Sequence, residues 1–254
     1  MALASTDPKT FSDYDPLAWF YDRYWGPANA RELLPVLEDL VLEDLPEDAR
    51  ILDLCCGTGH LCAKLVDQGY QVLGIDGSRA MLAYARNNAP GAEFDLADAR
   101  WFELDEPVAF VTSTYESLNH VLSDEDLAAA FERVAESLEP GGVFLFDLNM
   151  EKAYGPDWRG NDGVIEDDHV IFTQNSVNQE DQTARSELTL FRYANGAWRR
   201  SDLVLLHRWF DEERVLDLLG QAGFEEAAIY DAVDDLGFRG EPGRTFFLVR
   251  KADA

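Results

Sequence analysis

Basic residues are scarce in this sequence: 21 Lys and Arg stand against 49 Asp and Glu, a formal net charge of -28 over 254 residues. Only four of the 21 are lysines, Lys9, Lys64, Lys152 and Lys251. A field of that sign repels a phosphate backbone unless a local basic patch offsets it. The largest cluster is Arg199-Arg200, so no nucleic acid partner is expected. Long apolar runs are missing as well. No stretch approaches the roughly 18 consecutive apolar residues of a membrane span. Met1–Thr10 has neither a basic n-region nor an apolar h-region. The expectation is a soluble, cytoplasmic protein with no membrane partner. Cysteine is limited to Cys55, Cys56 and Cys62, too few and too close for a disulfide framework, which suits a reducing compartment. Internal repeats and low-complexity tracts are lacking too. A lysine-poor, acidic surface also fits a salt-tolerant host, an idea that fails if folded stability ignores molar salt.

What is present is 46% apolar content, enough for one sizeable core with an inserted lobe. Strand-like runs alternate with helical ones through the first 150 residues, the pattern of an α/β fold on a mostly parallel sheet. Strands are predicted at 50–54, 71–75, 92–95, 108–113 and 143–148. Leu61, Leu65 and Val66 make a helical face ended by Gly69, and residues 78–87 make the next helix. Ser123-Asp124-Glu125-Asp126 reads as a variant capping box for a helix burying Leu127, Phe131, Val134 and Leu138, stopped by Pro140-Gly141-Gly142. Residues 150–163 have a loop composition. From Val164 to Phe210 the chain alternates like antiparallel strands around the hairpin signal Asn195-Gly196. A helix at 212–221 and strands at 224–231 and 245–250 complete the chain.

Asp53 ends the first strand and is followed by Cys55, Gly57, Thr58 and Gly59, a turn that brings backbone close to a ligand because glycine has no Cβ. Asp76 ends the second strand about 20 residues further on, the separation at which a carboxylate reaches ribose hydroxyls. Asp98 follows the third strand, where it can accept a hydrogen bond from an adenine amino group. Three acids at three successive strand ends each answer a different part of an adenosine ligand.

In these residues the sequence resembles the class I S-adenosylmethionine (SAM) dependent methyltransferases. Their Asp-x-x-x-Gly-x-Gly hallmark appears as Asp53-Leu-Cys-Cys-Gly57-Thr-Gly59, and Gly74–Ser78 and Leu138–Val143 match later family segments. The resemblance implies SAM as cofactor and a Rossmann-like seven-stranded, mostly parallel sheet with one antiparallel strand, taken by 245–250, plus a small antiparallel β-sheet inserted after strand five. It implies a helical lid over 1–47, a SAM-binding core over 48–150, an inserted β cap over 151–210 and a return to the core over 211–254. Asp53, Gly57 and Gly59 match positions around the methionine moiety, Asp76 the ribose acid, and Gly77 with Met81 the adenine wall, although bulkier residues often follow the ribose acid. Asp98 and Ala99 match the adenine edge, and Arg31 matches a partner for the methionine carboxylate.

An NAD-dependent oxidoreductase is the main competitor, but the dinucleotide fingerprint wants a third glycine where Cys62 stands. A SAM-binding sensor that transfers nothing is another alternative. Cys55, Cys56, His60 and Cys62 are spaced too tightly around the glycine turn for a tetrahedral site, so no metal is expected. His169 and His207 read as surface or strand-packing residues.

The loop after the fourth strand, from Thr112 through Thr114, Tyr115, Asn119 and His120, is the expected acceptor wall. His120 is a candidate general base, or else a histidine satisfied by a backbone carbonyl. Tyr115 and Asn119 are candidates to orient the acceptor, or ordinary turn residues. The aromatic stretch Tyr14–Trp25 reads either as a lid, with Tyr14, Tyr21 and Trp25 around a sulfonium, or as rings packing a helix onto the sheet. The arrangement is similar to amino-sugar N-methyltransferases, which implies a small-molecule acceptor, an N or O nucleophile, a nucleotide-linked sugar in the first instance, and a possible homodimer. A diphosphate there would need arginines in or beside the insert: Arg159, Arg185, Arg192, Arg199, Arg200 and Arg208.

Overall fold

A computed structural model describes residues 11, 13–156 and 158–252. Tyr14–Trp25 runs through a 3-10 turn at Asp15–Leu17, α1 at Ala18–Phe20 and a π turn at Tyr21–Trp25, then α2 spans Gly26–Leu40. The expected helical start is therefore broken into short turns, and expectations for residues 1–10 and 12 lie outside the described residues.

Seven strands form the main sheet: β1 Arg50–Leu54, β2 Gln71–Asp76, β3 Glu93–Leu96, β4 Val108–Ser113, β5 Leu138–Asn149, β10 Phe224–Asp231 and β11 Arg244–Lys251. Their order is β10-β11-β5-β4-β1-β2-β3, and β11 alone runs antiparallel, to β10 on one side and β5 on the other. Strand order reverses between β1 and β4, which opens a crevice at their carboxyl ends where ligands bind in such sheets. The helices α3 His60–Asp67, α4 Arg79–Asn88, α5 Asp124–Ser137 and α6 Glu212–Gln221 cover the two faces. Ser78 and Ser123 cap α4 and α5 by accepting the amides of Met81 and Asp126, worth about 1 kcal/mol each. Under α5 and α6, Phe144, Phe146 and Phe247 stack with centroids 4.6 and 5.0 Å apart. Each buried ring contributes about 1.5–3 kcal/mol.

The second sheet is four-stranded and antiparallel, in the order β6 Gly160–Ile165, β7 His169–Asn178, β8 Thr183–Ala194 and β9 Ala197–Arg208. Asn195-Gly196 makes the β8–β9 turn, both residues at positive φ as a primed turn requires. The inner face of this sheet, Ile171, Leu188, Leu190, Leu203 and Leu205, packs on Leu17 and Phe20 of the N-terminal segment.

Two boundaries correct the sequence expectation. Pro140-Gly141-Gly142 does not end α5, which stops at Ser137. It lies inside β5, where the register against β4 shifts between Val108 and Phe110. And β6 begins at Gly160, within the expected loop, as an edge strand with all six residues exposed.

Candidate active site

The loops at the carboxyl ends of β1 to β4 surround a cavity of about 510 Å³, well within the roughly 300–1,000 Å³ of small-molecule sites. Asp76 projects into it from the end of β2. One carboxylate oxygen accepts the Gly57 amide and the other the Ser78 amide, each at 2.8 Å, which fixes the group and leaves further lone pairs facing the cavity. Burial pushes this carboxyl up to about 6, against the pull of the two amides. Gly59 (φ +74°) makes the turn that brings Gly57 there. A Cβ at Gly59 would stand 2.8 Å from the Ala85 methyl, so α4 can approach only a glycine.

Along the wall after β2 and β3 lie Met81, Ala99 and Asp98. Asp98 is occupied: Arg100 grips it with Nε and Nη2 at 2.8 Å and reaches Asp126 with Nη1 at 2.9 Å. Gly77 has a specific reason to be small, because a Cβ there would meet the Phe11 Cβ at 2.6 Å. The Phe11 amide donates to the Gly77 carbonyl at 2.8 Å, and Phe11 lines the cavity where a bulkier residue was expected at 77.

At the far end the backbone is strained. Tyr115 (φ +65°) and Glu116 (φ +53°) are consecutive left-handed residues with side chains, a conformation costing about 1–3 kcal/mol each. Both line the cavity. The Glu116 amide donates to Asp147 at 3.0 Å, Asn149 donates to Glu116 Oε2, and Arg244 donates to Asp147 and to Glu241 while lying over the Tyr115 ring at 5.2 Å. Arg244 and Asp147 are buried together, and removing either partner would leave the other uncompensated, at a cost of about 3–5 kcal/mol.

His120 also reaches the cavity. Its Nδ1 lies 2.8 Å from the Leu206 carbonyl, which can only accept, so Nδ1 carries the proton. Nε2 then accepts from the Tyr14 hydroxyl at 2.7 Å. Burial lowers the imidazole to about 4. Tyr14, Tyr21 and Trp25 roof the same space, Tyr21 meeting Trp25 edge-on at 5.9 Å. Their neighbours Trp19, Phe20 and Tyr24 pack on the inserted sheet, and Tyr14 and Trp25 touch the same cluster while lining the cavity. Asp15 ties this roof to α4, accepting Ser78 Oγ at 2.5 Å, and Asp22 accepts Asn88 at 2.6 Å and His60 at 3.1 Å.

Of the expected site residues, the structure gathers Tyr14, Tyr21, Trp25, Cys55, Gly57, Asp76, Gly77, Met81, Asp98, Ala99, Tyr115 and His120 around one cavity. The rest stand outside its wall. Asp53 is buried beneath the turn with Cys62 donating to it at 3.2 Å, and burial pushes its carboxyl up to about 7. Thr58 and Gly59 build the turn, Thr58 with a buried hydroxyl unpartnered among the described residues, and the Thr114 carbonyl accepts from the Ser117 hydroxyl at 2.9 Å. Arg31 is exposed on α2. Asn119 is a correction: it is fully buried, and its amide joins the Asn149 carbonyl, the Asn149 amide and the Arg208 carbonyl, leaving nothing for an acceptor. Arg208 is bridged to Asp124 at 2.9 Å, and Arg192 lies over Trp19 at 4.6 Å. None of the six arginines proposed to receive a diphosphate lines the cavity.

Five polar or aromatic wall residues were given no individual role from the sequence: Phe11, Arg100, Asp126, and Glu116 and Ser117, the last two within the loop 112–120 expected to form the wall. Arg100, two residues from Asp98, carried a usable signal in that spacing. Glu116 carried only its place in the expected wall loop, since nothing in its neighbours announces a left-handed pair. Among the described residues no group of three metal-ligating side chains exists, and none of the helices is long and apolar enough to cross a membrane.

Residues 51–142 match a methyltransferase domain. The chain is 26% identical over 213 residues to the putative methyltransferase YqeM of Bacillus subtilis (strain 168), covering 82% of this chain and 86% of that protein. It is 28% identical over 194 residues to the dTDP-3-amino-3,4,6-trideoxy-alpha-D-glucopyranose N,N-dimethyltransferase of Streptomyces venezuelae, covering 75% and 78%. In fold it resembles an S-adenosylmethionine-dependent methyltransferase from Clostridium acetobutylicum ATCC 824, with a TM-score of 0.77, 20% identity and coverage of 94% and 99%. Neither an oxidoreductase nor a non-catalytic sensor finds support among these relatives. With the hallmark turn on β1 and the single reversed strand β11, these likenesses support an enzyme of the class I SAM-dependent methyltransferase kind, with S-adenosylmethionine as its cofactor.

Proposed function

We propose that the cavity at the carboxyl ends of β1 to β4 is where SAM and a small-molecule amine meet for methyl transfer. Asp76 carries this reading: its carboxylate is held by two backbone amides with lone pairs to spare for two ribose hydroxyls. Asp98, pinned by Arg100 through both oxygens, retains a lone pair on Oδ2 for an adenine amino group, with Met81 and Phe11 supplying apolar walls. The rings of Tyr14, Tyr21 and Trp25 suit a sulfonium by cation–π contact. SAM supplies an electrophilic methyl carbon, which passes to the acceptor's lone pair while the carbon–sulfur bonding electrons return to sulfur. The chain's own task is then to exclude water and align the nucleophile, and such positioning alone removes about 7–11 kcal/mol of barrier. An amine acceptor is supported by the printed activity of the Streptomyces venezuelae relative. Three free thiols fit a cytoplasmic setting.

Isothermal titration with SAM, S-adenosylhomocysteine and NAD tests the reading. The native chain is expected to bind the first two at micromolar levels and not NAD, and Asp76→Asn to lose about tenfold or more. Binding of NAD, or an unaffected variant, would sink it.

A further inference from the structure

Carboxylates outnumber cations at the acceptor end of the cavity. Glu116, Asp147 and Glu241 share the single guanidinium of Arg244, which donates to the last two and not to Glu116. Glu116 Oε2 takes the Asn149 amide, whereas Oε1 takes no hydrogen bond from the described residues, and the side chain lines the cavity. Two successive left-handed residues hold it there, a strained backbone conformation. Elsewhere on the wall the one cation among the described residues is Arg100, already committed to Asp98 and Asp126. The arginines of the insert are turned to other partners: Arg185 to Glu187, Arg200 to Asp202 and Arg208 to Asp124. The site therefore has a place for one positive charge and none for a phosphate.

We propose that the acceptor enters as a protonated amine without phosphate, its ammonium held by Glu116 Oε1, and that Glu116 then takes one N–H proton. The N–H bond breaks, an O–H bond forms on the carboxyl, and the neutral amine is left with the lone pair that attacks. The inference rests on the methyl-transfer reading of this cavity. His120 is not available for the same step, because its Nε2 accepts from Tyr14. The groups facing Glu116 are Tyr14 from the roof, Tyr115 beside it, Asp147 on β5, Tyr154, Glu241 and Arg244. Burial pushes the Glu116 carboxyl up to about 7, Arg244 restraining the rise and Asp147 adding to it, which matches it to a proton exchanged near neutrality.

The test is calorimetric binding to the full chain saturated with S-adenosylhomocysteine, using glucosamine, glucose and glucosamine 6-phosphate as probes. Glucosamine is expected to bind at least about tenfold more tightly than either of the others. Glu116→Gln should erase its advantage over glucose while S-adenosylhomocysteine still binds, and Glu116→Asp should restore part of it. Should Glu116→Gln fail to fold, the ranking of the three probes on the native chain decides the matter. Tightest binding of the phosphate, equal binding of glucose, no binding of glucosamine, or an amine preference that survives in Glu116→Gln would each overturn the proposal. Failure to bind S-adenosylhomocysteine at all would overturn the methyl-transfer reading, and this inference with it.

Discussion

His120 is engaged at both nitrogens, donating to the Leu206 carbonyl and accepting from Tyr14. Adding a proton to Nε2 would place a charge in a buried space, and this burial is why the imidazole sits low, at about 4, against the pull of the Leu206 carbonyl. The residue should therefore stay neutral from pH 5 to 8, and imidazole NMR should show it titrating near pH 4. A midpoint above 6 would contradict this geometry. The sign for stability follows from linkage. The unfolded chain binds this proton near the ordinary 6.5 and the native chain does not, so the contribution is complete above pH 6.5 and is lost as pH falls toward 4. The neighbouring ring of His207, 4.5 Å away and lowered well below its usual value by burial, acts in the same direction. A general base near neutral pH has to be sought elsewhere on the wall.

Among the elements, the loop after β4 is tied to two strands at once through Asn119. Asn119 joins β5 through both the carbonyl and the amide of Asn149 and joins β9 through the Arg208 carbonyl. Asn119→Ala would leave those backbone groups unpaired in a dry interior. A loss of about 2–4 kcal/mol in urea unfolding is expected, and less than about 1 kcal/mol would show that the staple is dispensable. The same loop shows where sequence reasoning succeeds and where it stops. The strands at 50–54, 108–113 and 224–231 were legible to the residue, because a run of apolar side chains bounded by acids or turn residues is already a strand pattern. Strand β6 was not legible: it buries no residue, so no alternation marks it. The cavity wall at the ends of β1 to β3 was legible because strand-end acids and glycines are local signals. The wall after β4 was less so, because Asn119 spends its amide on residues 30 and 89 positions away and Glu116 takes its surroundings from Asp147 and Arg244.

For the molecule as a whole, a net charge of -28 means that folding gathers like charges at close range. Several exposed arginines are already paired, as Arg200 is with Asp202 and Arg185 with Glu187, so most of the surplus is carboxylate without a counter-cation. Sodium chloride shortens the reach of that repulsion from about 10 Å at 0.1 M to about 3 Å at 1 M. Thermal unfolding should thus move to higher temperature between those concentrations, by several degrees as a rough guide. An unchanged midpoint would mean that the surface charges are too far apart to matter, and would remove the case for a salt-tolerant origin.

The N-terminal segment and the inserted sheet form one hydrophobic seam, Leu17 and Phe20 against Ile171, Leu188, Leu190, Leu203 and Leu205, clasped at its rim by Arg23 with Asp168 and by Arg192 over Trp19. The two halves of that seam are about 150 residues apart in the chain, with the βα series from β1 to β5 between them. For anyone building chimeras this sets the unit of exchange. Grafting a relative's insert alone would set foreign side chains against native Leu17, Trp19 and Phe20, so a transplanted acceptor preference must travel as two pieces, residues 11–25 together with residues 160–208, on an unaltered core.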